Sequence, residues 1–388
     1  MPNSVTELLQ SMVSFNTVNA YLDEQTNTEK ALAEYLELQA QGWGLSTRCL
    51  AVQDERFNLL VSHEIAADAP WLLFESHMDT VGTEGMTVDP FAAQINDGRL
   101  YGRGACDTKG SGAAMLWALK QYLEEAQTGN NIAILFSVDE EIGKRGARAF
   151  VAQHIAQLAW QPAAVIVGEP TQLQPVVAHN GVVRWRIATQ GQAAHSSNPR
   201  NGRSAISMMV KVIEAIESRY IPSLTASHPL TGAAQCSINI IRGGSQINII
   251  PDQCEIYLDR RIVPGEDPDG VLPAVEQILA EVRRNNPGLD VVQREPDHLD
   301  WALDSAGSEA FALFVQQVLS KLGFAADLIG VGYGTDGSNF GRAGIPTVVL
   351  GPGDIAQAHT KDEWIDLEQL RQGVTVYNRL MRTPLPVG

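Results

Sequence analysis

The chain has 388 residues, of which 44% are hydrophobic and 19% charged, and its 28 basic and 45 acidic side chains leave a formal charge of −17. That length exceeds one ordinary core, so two domains are expected. The acidic balance, with no basic run and no interleaving of aromatic and basic residues, excludes a nucleic-acid binder, and no apolar run reaches the ~20 residues that cross a bilayer.

Val5, Leu8, Leu9, Met12 and Val13 recur at helical spacing behind Ser4, which has the chemistry of an N-cap. A second helix is expected over about 28–41. The first residues lack a basic stretch followed by an apolar one, so no secretory signal is expected. Cys49, Cys106, Cys236 and Cys254 are scattered without CxxC spacing and read as reduced thiols of a cytoplasmic protein. Cys236 and Cys254 are the pair that two neighbouring strands could bring together.

Short apolar runs follow, each ending in polar chemistry. WLLFESHMD (71–79) ends in His77 and Asp79, and NIAILFSVDEE (131–141) ends in Glu140 and Glu141. AAVIVGEPT (163–171) carries Glu169, and PTVVLGPGD (346–354) leads towards His359. Runs this short and this continuously apolar suit strands buried on both faces of a parallel sheet. Helical patterns over 111–125, 147–157 and 308–321 lie between them. The chain therefore reads as an α/β fold, a mostly parallel mixed sheet flanked by helices. Residues 177–293 differ: half-buried strands such as VVRWRIATQG and QCEIYLDRRIV accompany helices near 204–219 and 268–285. They read as an inserted α+β domain, with 1–176 and 294–388 forming the first and second parts of the α/β domain.

Open α/β sheets bind ligands at the C-terminal ends of their strands. Here those ends supply His77, Asp79, Glu140, Glu141, Glu169 and, after a loop, His359; YGRGACDTKGSG adds Asp107 just before a helix. Imidazoles and carboxylates on one rim are the donors of a borderline metal such as zinc. Asp107, Glu141 and Glu169 bring three negative charges, which two divalent ions balance better than one, and Asp107 is the candidate to bridge them. Each residue has an ordinary alternative: a solvated acid at a strand end, a hydrogen-bonded histidine, a helix cap at GRGACDTKG. That segment matches neither GxGxxG nor the Walker pattern. The ordinary reading has to explain each of the strand ends independently.

In that order, HMDT, YGRGACDTKG, VDEEIG, VGEPT and a late AHT resemble the M20 family of dinuclear zinc hydrolases, over almost the whole chain. GEPTQLQPVVAHNG, GQAAHSSNPRNG and VLGPGDIAQAH are most similar to its acetylornithine deacetylase group. The resemblance implies two divalent ions, Zn2+ or alternatively Co2+ or Mn2+. His77, Asp107 and Glu169 would hold one, and Glu141 and His359 the other, with Asp107 between them. It implies that Asp79 orients His77, that Glu140 is the general base acting on a water shared by the ions, and that His195 stabilises the oxyanion from an inserted lid that also dimerises. Asn248 and Arg261 match substrate-contacting positions, and Asp336 in GYGTDGSNF would meet a cationic side chain. Each has a bland counterpart: a turn histidine for His195, turn residues for Asn248 and Asp336, a surface partner of Asp259 for Arg261.

The reaction implied is removal of an acyl group, most simply acetyl, from an amino acid such as N-acetylornithine. The rivals are a dipeptidase, a carboxypeptidase or a succinyl-diaminopimelate desuccinylase of the same family, and a non-catalytic homologue. The expected partners are a small N-acyl amino acid or dipeptide and a second copy of the chain, with no nucleic acid and no membrane. Adjacent residues leaving a strand point to opposite sides, which would send Glu141 to a metal and Glu140 to the substrate.

Overall fold

The computed structural model describes residues 1–19, 28–53, 55–125 and 128–386. Its principal elements, in chain order, are α1 (Val5–Val13), α2 (Lys30–Gly42), β1 (Ser46–Gln53), β2 (Arg56–His63), β3 (Trp71–His77), α3 (Lys109–Glu125), β4 (Asn131–Ser137) and β5 (Pro162–Val167). Then come β6 (Gly181–Gln190), α4 (Ala205–Ala215), β7 (Gln235–Gly243), β8 (Gln253–Ile262), α5 (Val271–Asn285), β9 (Asp290–Gln293), α6 (Glu309–Leu322), β10 (Thr347–Val349) and α7 (Leu367–Arg382). They fall into two compact units, one of residues 1–177, 305–329 and 335–388, the other of 178–304 and 330–334.

The apolar runs line up as the middle of an eight-stranded sheet, β1-β2-β4-β3-β5-β10, completed by the short strands Val176–His179 and Ile329–Val331, along which the chain passes from one unit to the other. β4, β3, β5 and β10 are mutually parallel, while β1, β2 and β4 pair antiparallel. Every residue of β3 and β4 is buried, as both faces must be when helices cover them. On one side α3 and α7 supply Leu116, Leu119, Tyr122, Val376, Tyr377 and Leu380 to the core, with Phe74 of β3 edge-on to Tyr377 at 5.6 Å. α1 starts where Ser4 predicts: the Ser4 hydroxyl accepts from the Glu7 amide at 3.1 Å. Among the described residues no helix is long and apolar enough to cross a membrane.

The second unit is an antiparallel sheet ordered β7-β8-β6-β9, with His298–Asp300 pairing on β6. That late strand carries the unit on to Asp304 rather than closing it at 293. Strand alternation sorts its faces. Val183, Trp185, Ile187, Ile256 and Leu258 pack against α4 and α5, and Arg184, Tyr257, Asp259 and Arg261 occupy the other face. Cys236 stands opposite Arg260, and Cys254 opposite Gly243, so the two thiols are not cross-strand partners and both are free.

Candidate metal centre

β3 ends at His77, and α3 begins two residues after Asp107, which brings these side chains together at the C-terminal edge of the sheet. His77 Nε2 lies 3.1 Å from Asp107 Oδ1, and His359 Nε2 lies 3.2 Å from Asp107 Oδ2. Each oxygen of one carboxylate therefore faces a different imidazole. His359 Nε2 is also 3.1 Å from Glu141 Oε2. Donor atoms of His77, Asp107 and Glu141 lie within 4.8 Å of one another, as do those of His77, Glu140 and Glu169. These triplets overlap the sets implied by the sequence without copying them, because Glu140 stands among the eligible donors.

Electrostatics shows what this cluster lacks. Burial, and then repulsion from Asp107, push the Glu141 carboxyl up to about 8. The same two causes raise Glu169 well above the carboxylate range. Hydrogen bonds to Asp107 and Glu141 raise the His359 imidazole to about 11. Burial opposes the ionisation of Asp107, but the bonds from His359 and His77 outweigh it and hold that carboxyl well below its usual range. Crowded acids that draw protons onto neighbouring imidazoles are a site short of positive charge. Divalent cations fit it: every donor is N or O, and Asp107 offers two separately directed oxygens.

The positions of Asp79 and the two glutamates depart from the sequence reading in their reasons. His77 Nδ1 is 2.9 Å from the backbone carbonyl of Asp79 and 3.6 Å from its carboxylate. Donation to that carbonyl leaves Nε2 facing Asp107. The Asp79 carboxylate is occupied elsewhere, accepting from the Glu140 amide at 2.9 Å, the Glu141 amide at 3.2 Å and Asn19 Nδ2 at 2.7 Å. β4 stops at Ser137, and Glu140–Gly143 form a turn entered through Asp139 at φ +67°. The glutamates are thus separated by a turn rather than by strand alternation. Asp139 anchors this turn, accepting from Asn19 at 3.0 Å, Arg56 at 3.2 Å and Arg145 at 2.6 Å.

The profile of peptidase family M20/M25/M40 matches residues 73–383. The chain belongs to this family. Acetylornithine deacetylase from Proteus mirabilis is 31% identical over 93% of this chain and 92% of the relative, and that from Klebsiella pneumoniae is 32% identical over the same shares. In fold, this M20 chain is similar to the crystal structure of aminopeptidase PepT from Bacillus cereus, with TM-score 0.78, 19% identity and 97% of each chain covered. The protein is therefore an M20 metallohydrolase with a candidate metal site at its strand ends.

Several supporting residues of this M20 site escaped the sequence reading. Glu363, fully buried, accepts from the backbone amides of Gly104, Cys106 and Asp107 at 3.2, 2.8 and 3.0 Å and pairs with Arg103 at 2.6 Å. It ties the loop that presents Asp107 to the segment that follows His359. Its signal was present but unspecific: an acid four residues beyond His359. Asn19, which joins Asp79 to Asp139, and Arg56, which pairs with Asp139 and Glu29, carry no local signal because their partners are remote in sequence. Lys144 Nζ lies 3.0 Å from Glu140 Oε1.

The remaining expected residues belong to neither donor triplet. Asp336 is 0% exposed and accepts from the Ser137 hydroxyl at 3.3 Å. Burial and repulsion from Glu75 hold its carboxyl well above the usual range. His195, Asn248 and Arg261 belong to the second unit. His195 is exposed, its Nδ1 2.8 Å from the Ser197 hydroxyl. Asn248 is exposed, and its carbonyl accepts from the Ser196 amide at 2.9 Å. Arg261 pairs with Asp259 at 2.7 Å, the contact its bland reading requires.

Proposed function

We propose that this chain is a cytoplasmic, homodimeric dinuclear zinc amidohydrolase that removes an acyl group, most simply acetyl, from the α-nitrogen of an amino acid such as N-acetylornithine. The observation that supports it best is the division of Asp107 between His77 and His359, at 3.1 and 3.2 Å, with Glu141 beside the second imidazole. His77, Asp107 and Glu169 would hold one ion, and Asp107, Glu141 and His359 the other. When bound, the ions supply the positive field that polarises an amide carbonyl and acidifies a water.

Glu140 takes the proton from that water and delivers it to the departing nitrogen. Its backbone amide is fixed by Asp79 at 2.9 Å, so the base is carried on an anchored turn. His195 donates to the developing oxyanion, and Asn248 and Arg261 contact the substrate; a guanidinium suits an α-carboxylate because it binds both oxygens. Asp336, which accepts from the Ser137 hydroxyl at the end of β4, is the acid that would meet a cationic side chain of the substrate. The second unit supplies the dimer contact: Ile240 and Ile241 on β7, with Ile206 and Val210 on α4, are exposed apolar side chains. The sequence similarity to acetylornithine deacetylases directs the choice of substrate.

The test is turnover of N-acetylornithine, N-acetyl amino acids of other side chains, N-succinyl-diaminopimelate and dipeptides by protein reconstituted with Zn2+ or Co2+. Faster turnover of the N-acetyl substrates is the expected result. A preference for dipeptides or the succinyl compound would replace the substrate while keeping the chemistry. Absence of any amide cleavage by fully metal-loaded protein would overturn the reading.

A further inference from the structure

We infer that Lys144 is a positioning residue that reserves Glu140 for proton transfer by holding it in an ion pair, and so keeps it out of the metal donor set. This rests on Glu140 being the base. The need for such a device is geometric. A carboxylate oxygen of Glu140 lies within 4.8 Å of donor atoms on both His77 and Glu169, so Glu140 is as eligible to ligate a cation as its neighbours. A glutamate captured by a metal cannot also collect a proton from water. Something has to compete for it.

Lys144 is placed to do so. Its side chain is 5% exposed, that of Glu140 is 11% exposed, and Nζ to Oε1 measures 3.0 Å. A buried ammonium is stable only beside a counter-charge, and the pair strengthens as water is excluded. The backbone supports the same reading. Lys144 sits at φ +52°, in the left-handed region where glycine is at no disadvantage and a lysine is. Its amide closes the turn onto the Asp139 carbonyl at 2.6 Å, and the Gly143 amide reaches the same carbonyl at 3.1 Å. That turn directs the Lys144 side chain back onto Glu140, four residues earlier. The next residue, Arg145, is directed to Asp139 at 2.6 Å. Arg145 fixes the turn at Asp139, and Lys144, whose charge also acts on the buried Asp336, pairs with the base that the turn carries.

The test uses full-length protein loaded with Co2+, whose visible absorption reports coordination. Lys144→Met is expected to retain two metal equivalents, to lose about tenfold or more in kcat with KM changed little, and to shift the cobalt spectrum as Glu140 enters the donor set. Lys144→Arg, which keeps the charge, should hold the native spectrum and most of kcat; Lys144→Gln should follow the Met variant, and serves if that variant does not fold. A native cobalt spectrum in the neutral variants, or an undiminished kcat, overturns the inference. Glu140→Gln separates this from its premise. An active Glu140→Gln enzyme removes Glu140 as the base, whereas an inactive one beside native-like Lys144 variants removes only the role of Lys144.

Discussion

Asp107 and the neighbouring glutamates show how side chains of one chemical type acquire different work from their surroundings. Asp107 is kept ionised by two imidazoles, whereas Glu141 is pushed up to about 8 by burial and by Asp107 itself. Glu140 differs again, paired with Lys144 and anchored by its amide to Asp79. The two glutamates should therefore respond differently to the same loss of charge. Glu140→Gln should keep both metals and lose on the order of 10²–10⁴ in kcat, the usual contribution of a general base. Glu141→Gln should weaken one metal, with activity partly restored at high metal concentration. Metal titration by calorimetry alongside steady-state kinetics distinguishes them, and identical metal content with identical residual activity would contradict the assignment.

At the scale of elements, the site is made by loops that the sheet edge brings together and that buried carboxylates tie down. Glu363 satisfies three amides of the loop carrying Asp107 while neutralising Arg103, so it acts on backbone position rather than on metal. Glu363→Gln leaves Arg103 buried without its counter-charge, a change that costs about 3–5 kcal/mol when a buried pair is broken. Denaturant unfolding should show that loss, and metal affinity should fall with it as Asp107 loses its fixed position. Normal stability and normal affinity together would show that the loop holds itself. This pattern also explains what the sequence made legible. The central strands could be read because two buried faces leave continuous apolar runs, and the donors could be read because they interrupt those runs at their ends. β1 could not, since STRCLAVQ is largely exposed and lacks the apolar signal. Asn19, Glu363 and Lys144 could not, because each works through contacts that only the folded chain creates. The end of the inserted unit was misplaced for a related reason: His298–Asp300 is too short to announce itself before its pairing with β6 is seen.

For the molecule as a whole, the candidate metal site is a store of charge conflict, and its consequences extend to folding. Glu141 titrates at about 8 in the folded, metal-free protein against an ordinary 4.5, and His359 at about 11 against 6.5. Both folded values are raised, so the folded state binds more protons than the unfolded one across those intervals. Stability falls with pH wherever the folded state holds the extra protons. The contribution from Glu141 is present below its unfolded value and is lost as pH rises through about 8; that from His359 is lost from above 6.5 up to about 11. Metal binding displaces these protons, so metal affinity increases over the same range. The melting temperature of metal-free protein should therefore fall by several degrees from about pH 6 to about pH 9, while that of zinc-loaded protein changes less and the gap between them widens. Thermal melts with and without Zn2+ across that range, at constant ionic strength, measure both slopes. A metal-free melting temperature that stays level or rises with pH would mean that these carboxylates and imidazoles do not carry shared protons, and the charge argument for two cations would lose its support.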